Sequence, residues 1–372
     1  MERAVDVLIV GGGVIGLAIA REAARSGMSV RLLERGETGG EATGASAGML
    51  AAQLEAHEPG PLLSLSLESR TLYPAFLRAL ESETGESVDL RREGALVIAL
   101  DEAAREAIAR SASAQRRMGL DVKTLDAVEV RALEPLVSGD TRGGMHLPHE
   151  HTVDPRRLAE ALRRAAEAAG AEICTGAEAT AILMERKTAR GVRLADGRDQ
   201  RAREVVVAAG AWAGALQAEG IAVPPSEPVR GQMLCFAAPG IVRHVVASEE
   251  VYLVPRSDGR LLAGSTMERA GYDRSVTASG MAGIAAAAIR LVPRLGHAAF
   301  HSAWAGLRPG APDGLPVLGR AAPGLLYACG HLRNGIVLTP ITAAIVGRLL
   351  RGEAAGFDLT PYDPLRFGPV QG

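Results

Sequence analysis

An apolar run at 5–10, interrupted only by Asp6, opens the chain and ends at a cluster of glycines. A short apolar run with that boundary predicts a buried strand. Residues 16–26 then read as a helix stopped by Gly27, and 29–33 as a second strand closed by Glu34. Small residues fill 36–48, which predicts a loop. Helical spacing returns at 61–80, where Leu63, Leu67, Tyr73, Phe76, Leu77 and Leu80 recur on one face. Residues 89–92 and 95–100 predict the two arms of a hairpin around Glu93-Gly94. A charged helix capped by Asp101 follows to Arg117, then a short strand at 143–147. Asp154-Pro155 opens another helix, capping acid first and proline in the first turn, and Gly170 closes it. Strands are predicted at 171–175, 181–185, 191–194 and 204–208, then at 231–236, 251–254 and 261–265. The chain finishes with a helix at 277–291, a strand at 325–329 and a helix at 340–350.

This order, with strands densest between 228 and 264, predicts an α/β chain with an α+β insert. The expected architecture is a Rossmann-like nucleotide-binding domain carrying an inserted, mainly antiparallel sheet. The nucleotide-binding domain would be discontinuous, taking 1–87, 145–227 and 305–372, and a substrate-binding domain would take 88–144 and 228–304. A length of 372 residues suits two such cores.

Bulk properties narrow the partners. Basic and acidic residues number 41 and 43, with no basic patch, so no nucleic-acid partner is expected. Cys174, Cys235 and Cys329 form no CxxC pair, which suits a reducing compartment and no structural metal. The acids Glu2 and Asp6 argue against a signal peptide, and no run of 18 apolar residues could span a membrane. A soluble, cytoplasmic protein is expected.

The first chemical signal is Gly11-Gly12-Gly13-Val14-Ile15-Gly16, a GxGxxG fingerprint between strand and helix. Gly11 permits the turn, Gly13 the approach of a pyrophosphate, and Gly16 close packing of helix on strand. Glu34, eighteen residues after Gly16 at the end of the second strand, suits a ribose diol. Three further segments favour FAD over NAD. They are the small-residue loop around 39–50, the strand Val205 to Val207 running into Ala208-Ala209-Gly210-Ala211-Trp212, and the turn Gly330-His331-Leu332-Arg333-Asn334-Gly335-Ile336 before the last helix. That turn can aim N–H groups, and a helix start, at the carbonyl edge of a flavin.

With the strings IVGGGVIGLAIA, GASAGMLAAQ, VVVAAGAW, WAGLRPGAPDGLPVLG and GHLRNGI, the chain resembles the D-amino-acid oxidase superfamily over nearly its full length. Within it the similarity is greatest to the glycine oxidases of bacterial thiamine biosynthesis. The resemblance implies oxidative deamination of glycine, sarcosine or small D-amino acids. A hydride would pass from the α-carbon to flavin N5, and imine and hydrogen peroxide would result. The implied partners are a small amino acid and dioxygen, and the implied assembly a homotetramer. FAD should be noncovalent, because the 307–318 stretch that carries a tethering cysteine in sarcosine-oxidase-like enzymes has none.

Arg308, between glycines at 306 and 310, is the candidate carboxylate anchor, because a guanidinium fork makes two charge-assisted hydrogen bonds. Its alternative is a structural pair with Asp313. Tyr252 can add a bond to the same carboxylate or be a core tyrosine. By resemblance Arg333 lies near the substrate amine through its main chain, and Met267 is an active-site apolar residue, with a core methionine as its alternative. Also by resemblance and position, Val14 and Ile15 lie at the phosphates and Glu34 and Arg35 at the ribose. Ala42, Thr43, Ala47, Gly48 and Met49 run along the pyrophosphate and flavin, Ala179 meets the adenine side, and His331 to Val337 meet the flavin ring. No residue is required as a base, because an amine lone pair can stabilise the imine as hydride leaves. Three rival readings stay open: a sarcosine-oxidase-like enzyme, a D-amino-acid dehydrogenase that does not use oxygen, and a flavin-binding protein without turnover.

Overall fold

The structure, a computed structural model, describes residues 4–55 and 59–368. Its first sheet is built around Val5–Val10, which pairs in parallel with Val30–Glu34 on one side and with the second half of Asp199–Val207 on the other. Glu172–Thr175 and Leu325–Cys329 extend the parallel array outward on the two flanks. Asp199–Val207 is shared. Its first half pairs antiparallel with Thr188–Leu194, which turns back onto Ala179–Glu185. Parallel strands buried on both faces need continuous apolar runs, and Leu8, Ile9, Val205 and Val206 are all buried. Helices Val14–Arg25, Pro155–Ala168, Pro61–Thr84 and Thr339–Leu350 pack together over this sheet through one apolar cluster. The Asp154 carboxylate caps its helix through the amides of Arg156 and Arg157.

A second sheet runs in the order Ala299–Gly310, Glu227–Ala237, Arg260–Gly264, Tyr252–Pro255, Val245–Ala247, Ala95–Ala99, Gly143–Leu147, Lys123–Leu125. All its pairs are antiparallel except Val245–Ala247 with Ala95–Ala99. Helix Ala278–Leu291, capped by Thr277, packs against it at Glu227–Ala237 and Arg260–Gly264.

Several expectations need correction. The arm at 89–92 is not a strand. Arg91 makes one bridge to Thr152, and Ala95–Ala99 pairs with Gly143–Leu147 instead of turning back on it. The loop at 36–48 holds one helical turn, Ala42–Ala45. Strands Ala299–Gly310 and Val317–Ala322 carry no clear sequence pattern, and helix Ala127–Leu133 is marked only by the capping box of Asp126 and Glu129 at its start. Ala299–Gly310 is an edge strand, where Pro309 is tolerated because it faces a single partner. It runs past 305, and Gly143–Leu147 runs past 145, so the second sheet extends further than the boundaries read from sequence.

Candidate active site

A cavity of about 450 Å³ lies between the two sheets, within the range of cofactor and small-molecule sites. Its nucleotide end begins at the first turn. Gly11 has φ +111°, and a side chain at Gly16 would place its Cβ 1.9 Å from the Gly11 carbonyl oxygen, so the helix can seat on the strand only with glycine there. Both Glu34 oxygens accept main-chain bonds, from Gly12 at 2.7 Å and Gly36 at 2.8 Å. The Gly13 amide has no acceptor among the described residues and sits at the N-terminus of the first helix, where an anion is favoured. Thr43 Oγ1 accepts from the Val14 amide at 3.2 Å and ties the small-residue loop to that helix. Buried Arg256, from the second sheet, donates to the carbonyls of Ala47 at 2.8 Å and Val153 at 2.9 Å and fixes the same loop from the other side.

At the opposite end Arg308 projects from the edge strand. Its Nη2 donates to Ser265 Oγ at 2.6 Å and its Nη1 to the Thr266 carbonyl at 3.1 Å. Among the described residues it has no carboxylate partner. Asp313, the alternative, pairs with Arg366 at 2.7 Å. Burial lowers the affinity of the Arg308 guanidinium for its proton, but it remains a cation. A Cβ at Gly231, on the neighbouring strand, would lie 2.1 Å from Arg308 Nη1, so glycine makes the room in which the guanidinium sits. Tyr252 lies beside Arg308, its hydroxyl 3.4 Å from Met233 Sδ. Arg333 also faces the cavity, paired with Glu55 at 2.6 Å.

The turn before the last helix closes the site. Leu332 has φ +45° and its amide donates to the Pro309 carbonyl at 2.7 Å. The amides of Arg333, Gly335, Ile336 and Val337 have no acceptor among the described residues, although Ile336 and Val337 are buried. His331 is buried, with Nε2 3.2 Å from Thr342 Oγ1, and burial pushes its pKa down to about 4. It is therefore neutral near pH 7. An unfolded histidine binds its proton near pH 6.5 and the folded one only near 4, so folding stability drops as pH falls through that window. The loss approaches about 3 kcal/mol. His331→Gln should flatten the acid limb of a stability-against-pH curve measured by urea unfolding.

Of the residues expected from sequence, Gly11, Gly13, Val14, Ile15, Glu34, Arg35, Ala42, Thr43, Ala47, Gly48, Met49 and Ala179 line the cavity, as do Tyr252, Arg308, His331, Leu332, Arg333, Gly335 and Ile336. Gly16, Gly330, Asn334 and Val337 lie behind its wall. Gly330 shapes the turn with φ +72°, and the Asn334 carbonyl accepts from Leu338. Met267 is a correction. Strand Arg260–Gly264 ends before it, and its side chain is 51% exposed outside the cavity. Met233 lines the site in its place, alongside Met49. Glu55, Gly231 and Trp212 were not among the expected residues; only Trp212 had a local signal, at the end of its small-residue strand.

A family model described as DAO, FAD dependent oxidoreductase, matches residues 6–349. A glycine oxidase of Geobacillus kaustophilus is 37% identical over 98% of this chain and 98% of its own length. One of Pseudomonas putida is 34% identical over 96% and 98%. The crystal structure of glycine oxidase from Geobacillus kaustophilus superposes with a TM-score of 0.93 over 98% of this chain and 99% of that one, at 35% identity.

The chain belongs to the DAO family of FAD-dependent oxidoreductases.

The cavity of this FAD-dependent oxidoreductase fits that cofactor on its own terms. Glu34 and the Gly13 amide suit the ribose and pyrophosphate, and the unpaired amides at 333, 335 and 336 suit the carbonyl edge of a flavin ring. The Ile336 amide, in a buried residue, would otherwise be left without a partner.

Proposed function

We propose that this amino-acid oxidase takes glycine, with sarcosine and small D-amino acids as further substrates, and yields the imine and hydrogen peroxide. The observation that carries the reading is Arg308, a partly buried cation held by Ser265 and Thr266 and lacking a protein anion among the described residues. A substrate carboxylate supplies the missing charge, and Tyr252 can donate to the same group. The Arg333 carbonyl, which accepts no bond among the described residues, can receive the amine N–H. Bound FAD supplies the two-electron acceptor for the α-carbon hydride, and dioxygen takes the electron pair onward as peroxide. The residues named here bind and orient; none is asked to move a proton. Bifunctional ThiO/ThiG proteins match this chain over 55% and 52% of their own lengths, which supports a product that feeds thiazole formation in thiamine biosynthesis. The proposed setting is the cytoplasm, which the sparse, unpaired cysteines suit, and the proposed assembly is a homotetramer, carried by the family resemblance. Among the described residues no helix is long and apolar enough to cross a membrane.

Anaerobic titration of the yellow protein with glycine, sarcosine and D-alanine tests this directly. Bleaching of the flavin band, followed by peroxide on admission of air, is expected. No bleaching with any of the three would leave a flavin-binding protein without turnover. Bleaching without peroxide would favour a dehydrogenase.

FAD should be noncovalent. Cys329 is the cavity's cysteine, and burial pushes its thiol up to about 12, far from the thiolate that attachment needs. Acid precipitation should leave all the flavin in the supernatant; flavin in the pellet would contradict this. Gly231→Ala should displace the Arg308 guanidinium and raise the glycine KM at least tenfold while the flavin spectrum persists.

A further inference from the structure

The connection between strand Arg260–Gly264 and helix Ala278–Leu291 leaves the second sheet and crosses to the nucleotide end of the cavity. Its base is pinned. Arg230 and Glu268 exchange main-chain bonds at 2.8 and 2.9 Å, and the Arg230 guanidinium pairs with Glu268 and Asp273. Gln232 Oε1 accepts from the Thr277 amide at 2.7 Å. From this base two side chains reach separate cavity walls. Arg274 Nη1 donates to both Glu41 oxygens, at 3.0 and 2.9 Å. Tyr272 stacks on Trp212 with ring centres 5.6 Å apart and planes at 26°, and its hydroxyl donates to the Ala211 carbonyl at 3.3 Å.

The two walls are also joined to each other. The Arg35 guanidinium carbon lies 3.6 Å from the Trp212 ring centre, and Arg35 Nη2 donates to Glu41 at 2.9 Å. With the backbone from Tyr272 to Arg274 as one link, these contacts close a ring through Trp212, Arg35 and Glu41. Arg35, Glu41 and Trp212 line the cavity; Tyr272 and Arg274 stand one layer outside it. Glu34 and Ala179 mark this end as the one that suits adenosine.

We propose that residues 268–277 are a latch on the cofactor's adenosine end, with Tyr272 and Arg274 as positioning residues that set how long FAD stays bound. They touch no reacting atom. They hold the loop bearing Glu41 and the turn bearing Trp212 together, and FAD cannot leave by this end until the two part. The latch is partly exposed, with the Arg274 and Glu41 side chains 53% and 31% accessible. Salt therefore weakens the ion pair, and the stack with Trp212 supplies the part that salt does not reach. The inference rests on FAD binding and is independent of which amine is oxidised.

The test is FAD release from purified holoenzyme, followed by the rise in flavin fluorescence after dilution, at low salt and in 1 M NaCl. Wild type should release FAD several-fold faster in high salt. Arg274→Gln should release it about tenfold faster at low salt and lose most of the salt dependence. Tyr272→Ala should accelerate release and keep the salt dependence. Release rates within twofold of wild type for both variants would overturn the latch. Should either alanine or glutamine variant fail to fold, Arg274→Lys and Tyr272→Phe decide the matter. The first keeps the charge and should retain salt dependence with a small acceleration; the second keeps the stack and should release FAD at close to the wild-type rate. Acceleration by Phe as large as tenfold, or loss of salt dependence with Lys, would contradict the roles assigned. The unfolding midpoint of the apoprotein should be unchanged in all variants. A lowered one, tracking the release rates, would make these residues structural and overturn the latch.

Discussion

Arg308→Ala is expected to raise the glycine KM by roughly 30- to several thousand-fold, the equivalent of about 2–5 kcal/mol for a buried charge pair that loses one partner. The basis is the lack of any substitute. Arg308 has no carboxylate partner among the described residues, and Arg333, the other guanidinium at this end of the cavity, is already paired with Glu55. A carboxylate entering the alanine variant would be stripped of water without a cation to receive it. The flavin spectrum should persist, because the Arg308 side chain contacts Ser265 and Thr266, away from the nucleotide end. Arg308→Lys should recover only part of the loss, because an ammonium cannot offer two parallel donors in one plane. Steady-state kinetics, with acetate binding read from the flavin band as an independent measure, checks both variants. A KM within threefold of wild type for the alanine variant would remove Arg308 from the site.

That arginine shows what kind of information the sequence carries. Its glycine-rich surroundings mark it as unusual, but whether it pairs with Asp313 depends on Arg366, which takes Asp313 from 53 residues further along the chain. The first strand, glycine turn and helix are legible because each rests on local spacing. Gly16 must be glycine for a reason two turns of chain can express: the Gly11 carbonyl occupies the space. Met267 misleads for the opposite reason. The strand carrying it ends at Gly264, and the partner strand, in register at Met233 opposite Gly264, delivers the methionine instead. Strand Ala299–Gly310 is hidden because its glycines and proline suppress β propensity. They are there because the site needs room: a Cβ at Gly306 would sit 2.4 Å from Ala45 Cβ. Glu55 leaves no local trace at all, since its partner lies 278 residues away.

Glu55→Gln should change which ligands the cavity prefers. Two guanidiniums face its substrate end, and Glu55 neutralises one of them through bonds of 2.6 Å to Arg333 Nε and Nη2. One unmatched positive charge remains, at Arg308, and it suits a ligand with one carboxylate. A second carboxylate would meet the Glu55 anion, or would have to displace it from Arg333. The glutamine variant keeps the shape and a hydrogen bond but removes the anion, so Arg333 becomes available to a dianion. Iminodiacetate, which adds a carboxymethyl group to glycine, is the probe. Its kcat/KM relative to that of glycine should rise at least tenfold, about 1.4 kcal/mol of discrimination. Inhibition by malonate relative to acetate should shift in the same direction and reports binding without turnover. The Glu55 side chain is only 18% accessible, so solvent screens the effect weakly and it should survive roughly physiological salt. An unchanged ratio in both assays would mean that the Glu55–Arg333 pair serves only to hold the turn, and that ligand charge is read by Arg308 alone.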